Sequence, residues 1–414
     1  MTLPAVPKVV IRLGTGPSFG NVLILGNMTD GILGTNVLGT DTIEAIDISS
    51  QVLQISTRRG RDRIFEEYNA GTATVRFQDF TGDWNPENVT GPYYGQILPM
   101  RQIIITADYE GVGYPIFAGH ITQWSWEWAD AAADYAIVTV QCVDAMRLLQ
   151  LAQITTVPLS AAGDLPGTRI LYILGAVNWP ASMAVTTAGD TTLQADPGTS
   201  RTALEAIQTV EDSDLGWFFI NRNGVAVYLS RANLAVRATS LPFVFEDAPS
   251  FTNSRYQNVS VGLDDTELAN NVTFTRVGGT PQTATDATSV AAYFERSFER
   301  SGLMMETDTV ALNRATAVMN YRKDPKLRIG TLLLDLSSPS NRISNGLFLD
   351  YGYPINLIKQ FGNGTDFDFE VIVTGMSHDI TPDRWTMRIT TAEPLSVAFI
   401  LGSAKFGILG QSTL

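Results

Sequence analysis

One cysteine and two histidines are all that 414 residues offer to thiol, imidazole or soft-metal chemistry. The lone cysteine, Cys142, rules out both a disulfide within the chain and a cysteine metal cage. It falls in the alternating run 136–143 and reads as a core thiol. His120 and His378 stand far apart, and neither belongs to a His-Glu-x-x-His spacing, so each reads as a structural or surface histidine. Long apolar runs are missing as well. No segment reaches the roughly 18 uninterrupted apolar residues of a spanning helix, and the start lacks the basic-then-apolar order of a secretion signal. The chain therefore reads as soluble and unprocessed at its start, with no membrane partner. Charge is scarce too: 17% of residues are charged against 44% apolar, which leaves neutral surface suited to burial against partner chains. With 28 basic and 42 acidic residues the net charge is −14, which argues against nucleic acid or an anionic membrane as the main ligand. Any DNA passing nearby would be repelled.

Catalytic patterns are equally sparse. No Gly-x-Ser-x-Gly elbow occurs, and Gly14-Thr15-Gly16-Pro17-Ser18-Phe19-Gly20 copies a dinucleotide fingerprint only in its first two glycines, with no helix pattern behind it. Asp264 and Asp265 are neighbours on a strand, so they point to opposite faces and cannot flank one glycosidic bond. The run Asp79-Phe80-Thr81-Gly82-Asp83-Trp84-Asn85-Pro86-Glu87-Asn88 offers oxygen ligands for calcium, but misses the EF-hand order and is explained by turn chemistry. Neither an enzyme, a cofactor nor a metal is expected. The one dense basic cluster, Arg58, Arg59, Arg61 and Arg63, has Asp62, Glu66 and Glu67 beside it, which favours pairing within or between subunits over phosphate contact.

What the sequence does contain is strand signal. Short alternating runs recur at 7–12, 72–77, 102–107, 115–121 and 136–143, punctuated by turn clusters such as Gly82-Asp83-Trp84-Asn85-Pro86. The fold class expected is mainly β with an α+β insertion: two barrel-like domains plus smaller helix-containing ones. Its divisions are an N-terminal arm at 1–42, a first β-barrel at 43–150 and an α+β insertion at 151–255. A strand pair, exposed loop and helix follow at 256–325, then a second barrel at 326–395 and a C-terminal strip at 396–414. Asp144 is placed to cap a short helix after the first barrel. In the insertion, Thr202 and Glu205 have capping-box spacing ahead of the stripe Ala203, Ile207 and Val210, and Asn223-Gly224 predicts a tight hairpin turn between 216–220 and 225–229. The Gly- and Thr-rich stretch 278–291 reads as an exposed loop, and 309–322 as a helix stopped by Asp324-Pro325.

Two internal echoes stand out. Ile116-Phe117-Ala118-Gly119-His120-Ile121 leads to Trp124, and Ile372-Val373-Thr374-Gly375-Met376 leads through His378 and Ile380 to Trp385, as bent strands of a duplicated barrel would. A Gly-spaced apolar strip holding Ile24, Leu25, Ile32, Leu33 and Leu38 returns in identical register as Ile400, Leu401, Ile408, Leu409 and Leu414. Each strip is too short for its own core and is expected either to plug its own barrel or, with Arg58, Arg59 and Arg61, to meet neighbouring subunits. Trp124, Trp126 and Trp128 share one strand face, a pattern that suits a core or interface and, alternatively, a sugar platform.

The pieces 55–63, 68–75, Asn85-Pro86, Gly91-Pro92-Tyr93-Tyr94-Gly95, Phe117-Ala118-Gly119, 141–149, 268–273 and 375–382 occur in an order that resembles the minor tail proteins of long-tailed bacteriophages, especially those of actinobacterial hosts. The resemblance runs through some 350 residues and implies the tail-tip, or baseplate, hub family. It implies a virion structural protein at the distal end of the tail tube, a homotrimer whose two barrels per chain present a pseudo-sixfold face. The implied partners are a distal tail protein, the tape-measure protein, and other minor tail or receptor-binding proteins used in host attachment. Unlike many such hubs, this sequence carries no hydrolase or needle segment after the second strip. The alternatives are a hexameric distal tail adaptor and a carbohydrate-binding tail protein that recognises the host envelope.

Overall fold

The computed structural model describes residues 3–13, 45–61, 66–128, 135–248, 254–263, 265–360 and 366–395. Both Gly-spaced strips, Asp62 and Arg63 lie outside them. The first region contributes β1 (Val6–Arg12), β2 (Val52–Gly60), β3 (Asn69–Asp79), β4 (Gln102–Tyr109), β5 (Val112–Glu127) and β6 (Ala136–Val143). Period-two alternation makes these strands: in β3, Ala73, Val75 and Phe77 are buried while Thr72, Thr74, Arg76 and Gln78 face outward. The middle holds α1 (Pro166–Ala176), α2 (Ala203–Asp214), the hairpin β7 (Trp217–Ile220) and β8 (Ala226–Leu229), and β9 (Phe243–Glu246). Then come β10 (Asn258–Leu263), β11 (Asn271–Arg276), β12 (Gln282–Thr285), β13 (Ser297–Leu303), α3 (Asp308–Arg322), β14 (Leu327–Asp335), β15 (Pro354–Lys359), β16 (Phe367–Ile380) and β17 (Trp385–Ala392).

The two strand-rich regions are built on one plan. Repeat one lies in the order β2-β3-β6-β5-β4 and repeat two in the order β10-β14-β17-β16-β15, antiparallel at every step. In both, the fourth strand in that order carries one extra residue against the third, and that residue is threonine: Thr122 against β6 and Thr374 against β17. From these bulges the ladders align residue by residue. Trp124, Ser125, Trp126 and Glu127 correspond to Met376, Ser377, His378 and Asp379. Ile55 and Ser56 correspond to Val259 and Ser260. The glycine of the sequence echo is therefore displaced: the counterpart of Gly375 is Gln123, not Gly119.

The expectation of two barrels is corrected by the topology. Among the described residues the sheets are not closed, and the two repeats share one continuous sheet. The reason lies in β16. Its first half, residues 367–372, pairs with β15; past the Thr374 bulge the same edge pairs with β2, from Gly375 opposite Gly60 to Ile380 opposite Ile55. The edge available to close repeat two is thus consumed by repeat one. Two glycines permit that approach, since a Cβ on Gly60 would lie 2.3 Å from the Gly375 Cα, and Gly60 has φ +105°.

One hydrophobic core runs through both repeats and the middle unit, while a smaller one packs α3 on β11, β12 and β13 through Val272, Phe274, Ala311, Ala315 and Val318. The α2 capping box forms as expected, with Glu205 N–H donating to Thr202 Oγ1 and Thr202 N–H to Glu205 Oε2. So does the hairpin turn, closed by Gly224 N–H to Asn221 O at 2.9 Å. The stretch expected to be an exposed loop at 278–291 instead contains β12 and a short helix, Ala287–Tyr293, capped by Asp286. β12 is held by the antiparallel ladder to β11, a contact that local composition does not encode.

Candidate functional site

Three bodies meet at the start of the second half of β2: the two repeats and the middle hairpin. Alternation along this strand puts Ile55, Thr57 and Arg59 on the buried face and Ser56 and Arg58 on the exposed one. Arg59 is 6% exposed, and its guanidinium reaches all three bodies. It donates to Ile116 O (3.4 Å) in repeat one, Ile220 O (3.5 Å) in the hairpin and Asp350 Oδ1 (3.2 Å) in repeat two, and lies 4.9 Å from the Tyr351 ring. Asp350 is shared with Arg222 of the hairpin turn, whose Nε is 3.9 Å from Oδ2. A buried cation tied at this many points fixes relative orientation, because loss of one contact leaves charge stranded in a low-dielectric interior.

Arg61, also 6% exposed, lies over the Tyr68 ring at 4.4 Å and the Trp217 ring at 4.5 Å. Its Nη1 donates to Glu66 O at 2.6 Å and comes within 3.9 Å of Glu211 Oε1. Burial pushes the Glu211 carboxyl up to about 8; Arg61 opposes this, but 3.9 Å is too long for a hydrogen bond. Asp144 accepts from Gly71 N–H (2.7 Å) and Met146 N–H (3.0 Å), which ties β3 to the short helix Met146–Leu151; the N-cap position expected of it belongs to Ala145, and Asp144 sits one residue before it. Burial lifts its carboxyl to about 7, against those two donors and Arg59. His378 is buried and accepts from Trp385 Nε1 at 3.2 Å; desolvation, then Arg59 and Arg222, lower it to about 3.

Of the basic cluster, Arg58 alone faces outward among the described members, in a groove of 580 Å³ shared with Ser260, Ser377, Arg388 and Thr390. Asp350, Tyr351 and Glu211, which face the buried arginines, escape a sequence reading because they come from distant segments, as does Arg222, which shares Asp350 with Arg59. The burial of Arg59 itself was signalled by its even spacing from Ile55 and Thr57. Asp79 is spent on turn chemistry, accepting from Gly82, Asp83 and Trp84 N–H groups. His120 is 9% exposed, and Cys142 is buried at 2%, which raises its thiol.

The tryptophan row packs over the loop after β3. Trp124 Nε1 donates to Leu98 O (3.1 Å) and Trp126 Nε1 to Trp84 O (2.8 Å); Trp84 stacks on Trp124 at 5.7 Å and Trp124 on Trp126 at 6.5 Å. Trp128, at the end of the row, is 57% exposed. Among the described residues there is no cluster of three metal-ligating side chains, and no helix is long and apolar enough to cross a membrane.

Neither a family model nor a curated protein matches the chain. Solved structures do. The tail protein from Neisseria meningitidis superposes with a TM-score of 0.57 at 11% identity, covering 94% of this chain and 96% of that one. The 43 kDa tail protein of prophage MuSo2 from Shewanella oneidensis gives 0.54 at 11% identity, covering 85% and 97%. At this identity the likeness establishes the fold: the chain folds, over nearly its whole length, as these phage tail proteins do.

Proposed function

We propose that the chain is a non-enzymatic subunit of the hub ring at the distal end of a phage tail, joining the tail tube to tail-tip and receptor-binding proteins. The observation that carries this reading is the duplicated five-strand unit, joined edge to edge within one chain and braced by Arg59. A ring built from such chains has twice as many near-equivalent units as subunits, so a trimer would offer six similar faces to a sixfold tube. The sequence resemblance to minor tail proteins of actinobacterial phages and the fold shared with tail proteins point the same way. Its partners would be a distal tail protein above, the tape-measure protein inside, and receptor-binding proteins around the rim. Cryo-electron microscopy of intact particles tests it: threefold placement of the chain around the tail axis is expected, and a sixfold ring would make it the distal adaptor instead.

The carbohydrate-binding reading is disfavoured by one feature. The indole N–H groups of Trp124 and Trp126 are committed to backbone carbonyls, and their rings stack within the fold. Binding of the purified chain to host wall glycans would reverse that judgement, and release of fragments from peptidoglycan would overturn the non-enzymatic role.

A further inference from the structure

The two repeats differ at one edge each. In repeat one the first strand, β2, has its outer edge filled by the second half of β16. In repeat two the corresponding strand, β10, pairs with β14 on one side and, among the described residues, with no strand on the other. The half of β5 that corresponds to the β2-binding half of β16 is open in the same sense. β4 pairs no further than His120, the Ile121 backbone is taken by Met100 and Arg101, and among the described residues Gln123–Glu127 has a ladder only to β6. Among the described residues, one chain thus makes the β16-to-β2 junction once and carries both halves of a second copy of it, unjoined.

We infer that β10 of one subunit pairs antiparallel with the 123–128 segment of the next copy of this chain, repeating between subunits the ladder that joins the repeats within each. The inference deepens the ring reading and rests on it for closure of the assembly. The within-chain ladder fixes the register. Because Ile55, Ser56, Thr57 and Arg59 face Ile380, Asp379, His378 and Met376, Val259 should face Trp128, Ser260 Glu127, Val261 Trp126 and Leu263 Trp124. In the joined copy the core-facing members of these pairs are all buried. In the unjoined copy they are not: Val259, Val261, Trp124 and Trp126 are half-buried, Leu263 is 65% exposed and Trp128 57%. Each edge therefore presents exposed apolar surface, Leu263 on β10 and Trp128 at the end of β5, while Trp124 and Trp126 keep their packing on Trp84 and Ser260 and Glu127 face solvent together. β10 also lacks the lysine, proline or inward charge that normally protects a free edge, as expected of an edge that is filled on assembly. The contact is head-to-tail, so repeating it propagates around a ring.

The test is a cysteine pair in the full chain, Ser260→Cys with Glu127→Cys, examined both in the purified protein and in tail particles that carry it. Residues directly opposite in an antiparallel pair have Cα atoms about 4.5–5.5 Å apart, within disulfide reach, and the native Cys142 is buried. Under oxidising conditions the double variant should give covalent oligomers on a non-reducing gel, and each single variant should not. Ser260→Cys with Gln123→Cys is the register control, being displaced about 13 Å along the strand, and should stay monomeric. A thermal melt under reducing conditions that matches the unmodified chain establishes that the variants fold. If particles show the ring but neither sample yields the 260–127 link, the ladder is wrong and the ring reading stands. If the 260–123 pair links instead, the register is wrong. If the chain lies off the tail axis and no link forms, both fail.

Discussion

Repeat one and repeat two share a strand order, a bulge position and a register, yet their first strands have opposite surroundings. β2 is clamped between β3 and β16, with glycine meeting glycine and a buried arginine behind it. β10 is, among the described residues, an edge strand whose one glycine, Gly262, has open space where a Cβ would go. The same plan thus produces a rigid internal joint at one end and an unfilled edge at the other. The difference teaches that a unit's neighbours in the sheet, rather than the unit itself, decide which of its residues become core. A guanidinium can be buried in β2 because three bodies converge there to satisfy it, whereas its counterpart in β10, Leu263, is 65% exposed.

The largest effect is expected at the joint. Arg59→Ala removes contacts to all three bodies and leaves the Asp350 carboxylate with Tyr351 N–H and, as its cation, Arg222 at 3.9 Å, which should cost about 3–5 kcal/mol in denaturant unfolding. Arg58→Ala, one residue away on the exposed face, should change stability by no more than about 0.5 kcal/mol. Equal effects would break the distinction between buried and exposed faces of β2. Next is Gly60→Ala, in which a left-handed φ and a 2.3 Å clash with Gly375 combine to cost about 3 kcal/mol. Gly262→Ala in β10 should be near neutral for the isolated chain, and a large loss there would show that its edge is already covered.

The smallest effect is a pH dependence. Glu211 titrates near 8 in the folded chain against an ordinary 4.5, so between those values the folded state holds a proton that the unfolded state has released. Stability from this group is therefore lost as pH rises from about 4.5 toward 8. Glu211→Gln should flatten that slope, by on the order of 2 kcal/mol between pH 5.5 and 8 in thermal or denaturant unfolding. His378 acts in the opposite direction at lower pH: its folded value near 3 means that stability is lost as pH falls below about 6.5. An unchanged slope in the Gln variant would remove Glu211 from the joint's electrostatics.

Much of the local structure was legible in the sequence because it is set by neighbours in the chain. Thr202 with Glu205, the Asn223-Gly224 turn and the α3 helix need only a few residues to specify them. What escaped is non-local. Both repeats carry the bulge at the same place, Thr122 and Thr374, so Gly375 matches Gln123, and the glycine echo, four residues out of register, aligned residues that do not correspond in the ladders. The β16-to-β2 ladder joins residues more than 300 positions apart, and it turned two expected barrels into one shared sheet. The arginine cluster was read as paired, and its partner Asp350 came from the far repeat. Strip residues such as Ile32 and Leu409 lie outside the described residues, so their expected docking is open to the same crosslinking approach.

The central claim is that each chain supplies two near-equivalent five-strand units to a ring around the tail axis. A cryo-electron microscopy map of the intact tail tip, resolved to separate strands, tests it most directly. The expected result is three chains whose six units follow one another around the channel, each joined to the next by a first-strand to fourth-strand ladder. A map that places a single unit per chain against the axis, or the whole chain on the periphery, would contradict it.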